Sequence, residues 1–212
     1  MKSAPHLSLS GFGEFLDRLH EVRWSPPELV PAGVVSLLAG LRDRPWILRD
    51  EVTAWASGDL ELRGMKSRDT STHYKWFIDR AESSGCRVWL HQYKPQDARA
   101  RGYAVVPHNH RYSFASIILR GGFTHHRFQR RGEHVEEDLR RREVFRASKI
   151  YTLTYDEIHS LSDISDRTMT LVVESPVIRN YSEAFYNETG KPKKFDDMVA
   201  LYPSIKQTVD AL

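Results

Sequence analysis

Ten histidines stand in a chain of 212 residues, and two of them, His108 and His110, flank Asn109 just after Pro107. On a strand, side chains two residues apart point to one face, roughly 6.5–7 Å apart along the chain. Two imidazoles on one face can converge on a single metal ion. The same spacing also suits two histidines that only pack and hydrogen-bond, so the pair alone does not choose between them. Parity extends the face to Tyr112 and Phe114, which sets Tyr112 beside the candidate ion. On the run Arg87 to Tyr93, the residues Trp89, His91 and Tyr93 share a face. His91 is there either an acid or base next to the site, or a hydrogen-bonded core histidine. His125 and His126 point to opposite faces, so at most one lies inside. His6, His73 and His134 read as exposed histidines.

These residues need elements to hold them. Phe12, Phe15, Leu16 and Leu19 recur at the helical interval, as do Val34, Leu37, Leu38 and Leu41. Pro26, Pro27 and Pro31 separate the two runs, because proline cannot continue a helix. A third short helix is expected from Leu48 to Trp55. From Tyr74 onward short runs rich in β-branched and aromatic residues follow one another, separated by Gly, Pro, Asp or Ser. They are Tyr74 to Ile78, Arg87 to Tyr93, Tyr103 to Val106, Tyr112 to Leu119, Phe123 to Phe128, Lys149 to Thr154 and Met169 to Val173. Strands without interleaved helices predict an antiparallel barrel or sandwich. A short helix around Asp197 to Leu201 would end the chain. The expected division is a helical segment over 1–66, a barrel over 67–180 and a tail over 181–212, all in one compact domain.

Composition narrows the class. Lys and Arg number 31 against 28 Asp and Glu, an excess of +3 that is too small to imply a nucleic-acid partner. The arginines between Arg127 and Lys149 are interleaved with glutamates, which reads as a solvated hairpin extension rather than a phosphate-binding patch. No stretch approaches the roughly 20 apolar residues of a membrane span. The single cysteine, Cys86, cannot form an internal disulfide, and the N-terminus lacks the apolar core of a secretory signal. A cytoplasmic protein with a small-molecule partner is the expectation, with a homodimer through an edge strand left open.

The frame around the histidine pair resembles the first motif of the cupin superfamily: Gly, five residues, H-x-H, three or four residues, Glu, six residues, Gly. Gly102, His108, His110 and Gly121 fall in that register. The second cupin motif, a lone His before a final apolar strand, is matched by His159, with Asp163 in its Asn position and Thr170-Leu171-Val172-Val173 as the strand. Its usual Pro and Gly are replaced by Thr154 and Asp156. The resemblance implies an all-β core in a double-stranded β-helix (jelly-roll) barrel, with an N-terminal helical segment and a short C-terminal helix. It also implies His108, His110 and His159 as metal ligands.

The glutamate of the first motif is missing, since Phe114 or Ala115 stands in its place. A site of three histidines and no carboxylate is similar to the cysteine dioxygenase-like (thiol dioxygenase) branch and related non-heme iron dioxygenases. Three neutral imidazoles leave a divalent ion at a formal +2, which favours an anionic, chelating ligand. The expected cofactor is Fe(II) with dioxygen as co-substrate; Zn, Ni, Mn and Cu are the alternative metals. The branch's amino-acid thiol members carry Tyr-x-Arg, the Arg clamping a substrate carboxylate. Here the segment reads Tyr74-Lys75-Trp76, so cysteine itself is an unexpected substrate. Residues assigned to the substrate on this basis are Tyr74, Trp76, Trp89, Tyr93, Phe114, His125 and Arg127, with His91 and Tyr112 as catalytic candidates. The rival functions are a non-redox cupin that senses a small ligand, and a zinc or nickel cupin lyase or isomerase.

Overall fold

Two apolar-faced segments become the helices α1 (Phe12–Glu21) and α2 (Ala32–Arg42) in the computed structural model, which describes residues 9–44, 46–48, 67–81, 83–95, 103–186 and 192–195. Just before α1 the Ser10 hydroxyl and backbone N–H donate to the Glu14 carboxylate at 2.7 and 2.6 Å, which ties the entering chain to the first turn. Pro31 precedes α2, where a missing N–H costs nothing. The expected helix from Leu48 to Trp55 lies, beyond Leu48 itself, outside the described residues.

Twelve strands follow among the described residues. They are β1 (Arg68–Asp69), β2 (His73–Arg80), β3 (Arg87–Tyr93), β4 (Phe114–Arg120), β5 (Gly122–Arg131) and β6 (His134–Glu137). The rest are β7 (Glu143–Arg146), β8 (Ile150–Leu153), β9 (Ile158–Ser162), β10 (Met169–Glu174), β11 (Ser182–Phe185) and β12 (Pro192–Phe195). One antiparallel sheet runs β1-β2-β3-β10-β4-β8. In the second, β5 pairs with β9 along one edge and with β7 and β6 along the other.

Alternation along the strands separates two cores. Val88, Leu90, Ala115, Ile117, Leu171 and Val173 pack with Phe15, Leu19, Leu37 and Leu38 of the helices. Their neighbours Trp89, Tyr93, Phe114, Ile118 and Val172 face the other way, toward Phe123, Phe145 and Leu161 of the second sheet. The expected all-β core with helices at its N-terminal side is therefore what the chain forms: two facing antiparallel sheets of jelly-roll type. The chain crosses between them at Gly121, which has φ +72, a conformation open to glycine at no steric cost. A Cβ there would also overlap Thr168.

Several expectations change. Tyr103–Val105 is a 3-10 turn rather than a strand. The stretch after Arg127 does extend as a hairpin, β5 with β6, and then returns as β7. Ser182–Phe185, assigned to a tail, forms β11 and bridges to the segment of His108 through Ala184. Gly102 and the helix expected at Asp197 to Leu201 lie outside the described residues. Among the described residues no helix is long and apolar enough to cross a membrane.

Candidate metal centre

His108 does not sit in a regular strand; it is a single bridge residue wedged between β9 and β11. Its N–H donates to the His159 carbonyl at 2.8 Å, and the His159 N–H donates back at 2.9 Å. The neighbouring N–H groups of Asn109 and Phe185 complete the stitch to β11, bonding Glu183 and Pro107 carbonyls at 3.0 and 2.8 Å. Residues paired this way project side chains to the same face. The two sequence motifs are thereby joined at their histidines. Arg179 holds the next residue, donating from Nε to the His110 carbonyl at 3.1 Å.

One ligand atom from each of His108, His110 and His159 lies within 4.8 Å of the others, and this is the one such histidine group among the described residues. His108 and His159 are buried and His110 is half-buried. His108 Nδ1 lies 2.8 Å from the Val106 carbonyl, which can only accept, so Nδ1 carries the proton and Nε2 keeps its lone pair. His110 Nε2 and His159 Nε2 are 2.8 Å apart. Adjacent nitrogen ligands at about 2.1 Å from one ion stand about 3 Å apart, so this pair already has the spacing of two ligands. The donor set therefore fits a divalent transition ion that takes imidazole nitrogen.

Electrostatics prepares the same atoms. Burial, above all, lowers the His108 imidazole to about 4. Burial also holds His110 and His159 well below the usual imidazole range, with nearby positive groups adding to it: His108, Lys75 and Arg179 for His110, and His108, His110, His125 and Arg127 for His159. Neutral imidazoles are the form that binds metal, so protons do not compete near neutrality. A fourth histidine supports the third ligand: His125 Nε2 lies 3.0 Å from His159 Nδ1. His125 is fully buried and stacked on Phe145 at 5.0 Å and 17°. Such an outer partner fixes which ring nitrogen carries the proton.

Around this group the inner face supplies rings and one ion-pair network. Phe114 meets His110 edge-on at 5.1 Å, and the Tyr112 ring lies 5.5 Å from that of His110. Lys75 Nζ donates to the Tyr112 hydroxyl at 3.2 Å and to Glu174 Oε1 at 2.5 Å. Glu174 is fully buried; it also takes the Trp89 indole N–H at 2.8 Å and pairs with Arg87 at 3.0 Å. Burial would raise its carboxyl, but the charges of Lys75 and Arg87 outweigh this and hold it below the usual range. Arg87, Glu174 and Arg179 escaped the sequence reading. The signal was there for Glu174, which continues the inward parity of its strand.

The placement of the remaining residues is mixed. Trp89, His91 and Tyr93 share the inner face, with the His91 ring tilted against His73 at 4.4 Å and Tyr93 at 5.2 Å from the same ring. His73 is thus half-buried rather than exposed, and burial lowers it to about 3. Tyr74 and Trp76 face the helices, on the far side of the sheet from the histidines, so they do not line the site. The register of β2 on β3 sets Lys75 opposite His91, and that pairing turns Trp76 outward. Arg127 is engaged by Glu157 and by the Thr152 carbonyl. His126, on the other face from His125, bonds Glu137 and Ser162.

Compared with known proteins, the sequence matches no family profile and no curated protein. Solved structures of the cupin fold are similar at a low level. Oxalate decarboxylase from Bacillus subtilis has a TM-score of 0.39 and 11% identity, over 62% of this chain and 30% of that one. KdgF from Halomonas sp. has a TM-score of 0.38 and 10% identity, over 52% of this chain and 86% of that one. Hazelnut vicilin (Corylus avellana) has a TM-score of 0.38 and 12% identity, over 57% and 33%. The match spans about a third of the oxalate decarboxylase and vicilin chains, and similarity this low carries no inference about chemistry.

Proposed function

We propose that this chain is a metal-binding cupin that works as a mononuclear non-heme Fe(II) dioxygenase, oxidising a small chelating substrate other than cysteine. The observation that carries this reading is the group of His108, His110 and His159, drawn from two segments, with no carboxylate among the three. A facial set of three protein ligands on an octahedral ion leaves three positions for a two-point substrate and dioxygen. Bound Fe(II) would supply the activation of dioxygen.

The chain's own residues supply the remainder. Phe114, Phe145 and Tyr151 surround the histidines with rings that limit water. Tyr112, beside His110, offers a hydroxyl already polarised by the Lys75 ammonium. His91, held neutral by burial well below the usual imidazole range, is the candidate acid or base, its Nε2 buried with no hydrogen-bond partner among the described residues. Its ring packs against His73 at 4.4 Å.

The test is anaerobic reconstitution with Fe(II), followed by nitric oxide and EPR, with candidate substrates added and oxygen uptake recorded. A nitrosyl signal that changes with substrate, together with substrate-coupled uptake, supports the dioxygenase. Ligand binding without uptake would identify a sensor, and turnover without oxygen a zinc or nickel lyase or isomerase; either result overturns it.

A further inference from the structure

Cationic side chains gather around the three histidines: Lys75 donates to the Tyr112 hydroxyl beside His110, and Arg179 donates to the His110 carbonyl and pairs with Glu183 at 3.8 Å. Glu174, buried beside Lys75, is shared by Lys75 and Arg87, so that trio keeps a net charge of +1. A divalent ion at three neutral imidazoles adds two more. At close range in a poorly solvated interior, such an excess of like charge opposes metal binding unless an anion enters with the metal.

An unmet demand for hydrogen bonds lies at the same level of the sheet. Lys75, His91 and Thr170 face each other directly across β2, β3 and β10. His91 Nε2 and Thr170 Oγ1 are both buried and have no hydrogen-bond partner among the described residues. Lys75 Nζ makes two hydrogen bonds there, to Glu174 and Tyr112, and an ammonium has three N–H groups. A buried polar atom left unsatisfied is costly, so two of them on facing residues mark a place where a polar ligand would be stabilised.

We propose that Lys75, His91, Thr170 and Tyr112 form an anion subsite beside the three-histidine centre, and that the centre binds its divalent ion and a small carboxylate cooperatively. The proposal rests on the metal reading above and deepens it. Lys75 supplies the charge, His91 and Thr170 the hydrogen bonds, and Tyr112 links the subsite to His110. The anion need not be a substrate thiolate; any small carboxylate that reaches from Lys75 toward the metal position completes the charge balance.

The experiment measures Co(II) affinity by its visible absorption, with and without lactate, using uncharged lactamide as the control. Lactate is expected to tighten Co(II) binding at least ~10-fold and lactamide not at all; linkage requires that Co(II) tighten lactate by the same factor. Lys75→Met should reduce that coupling to ~2-fold or less while leaving bare Co(II) affinity equal or higher, and Lys75→Arg should restore it. Tyr112→Phe is the second variant, expected to weaken lactate binding while the protein stays folded by circular dichroism. Co(II) binding that lactate does not change, or coupling that survives Lys75→Met, overturns the subsite and leaves the metal centre standing. No Co(II) binding in either condition overturns the metal reading itself.

Discussion

His125 Nε2 stands 3.0 Å from Nδ1 of His159, and His159 Nε2 stands 2.8 Å from Nε2 of His110. When His159 gives Nε2 to a metal, Nδ1 must carry the proton and donate it to His125. His125→Phe keeps a ring against Phe145 but leaves that donor without an acceptor. Metal affinity should fall on the order of 10–100-fold, with the folded state retained. Competition titration with a chromogenic chelator measures it, and unchanged affinity would show that His125 only packs.

The three ligands themselves make a stricter demand. His108→Ala, His110→Ala and His159→Ala should each abolish stoichiometric metal, measured by elemental analysis after reconstitution and desalting. The bridge between His108 and His159 is backbone to backbone, so these variants keep the pairing that holds β9 to its neighbours. Full occupancy in His159→Ala would remove the third ligand from the proposal.

Acid should destabilise the protein well above the usual carboxylate range. His108 is lowered from 6.5 to about 4, and His73 and His125 to about 3, in each case chiefly by burial. Below pH 6.5 the unfolded chain takes up protons that the folded chain refuses, so this stability is full above that pH. It is lost as pH falls toward about 4, at about 1.4 kcal/mol per pH unit for each such histidine. The depressed Glu174 carboxyl acts lower still: its contribution is present above its unfolded value of 4.5 and lost as pH falls through the folded one. Urea denaturation at a series of pH values should show a steep decline starting near pH 6.5. A midpoint that stays flat down to pH 5 would show that these histidines are solvated.

Gly121→Ala should destabilise the protein by about 2 kcal/mol or more. A side chain at φ +72 costs about 1–2 kcal/mol, and contact with Thr168 adds to that. Thermal or urea unfolding measures it; a loss under about 0.5 kcal/mol would mean that the corner relaxes freely.

The alternation of Trp89, His91 and Tyr93 was legible in the sequence because period-two patterning is local, and the inner face follows from it once one residue is placed. The resemblance misled for β2, where Trp76 was assigned to the substrate from the family's clamp position and Lys75 is inward instead. An aromatic residue satisfies either face of a sheet whose two sides are both covered, by helices on one and a second sheet on the other. The short strands β7, β9 and β11 escaped for another reason. Four or five residues of mixed polarity, such as Ile158–Ser162, carry too little periodicity to announce a strand, and their pairing comes from distant partners.

By itself, the sequence determined the residue types: three histidines with no acid at the fourth motif position, the glycine of the corner, and an apolar alternation that can only be buried between layers. Tertiary structure alone decided which charges surround them. Lys75 and Glu174 lie 99 residues apart and meet at 2.5 Å, and Arg179 reaches back to His110. Ion pairs and backbone bridges between remote segments depend on sheet register, and register is a property of the folded whole rather than of any window of the chain.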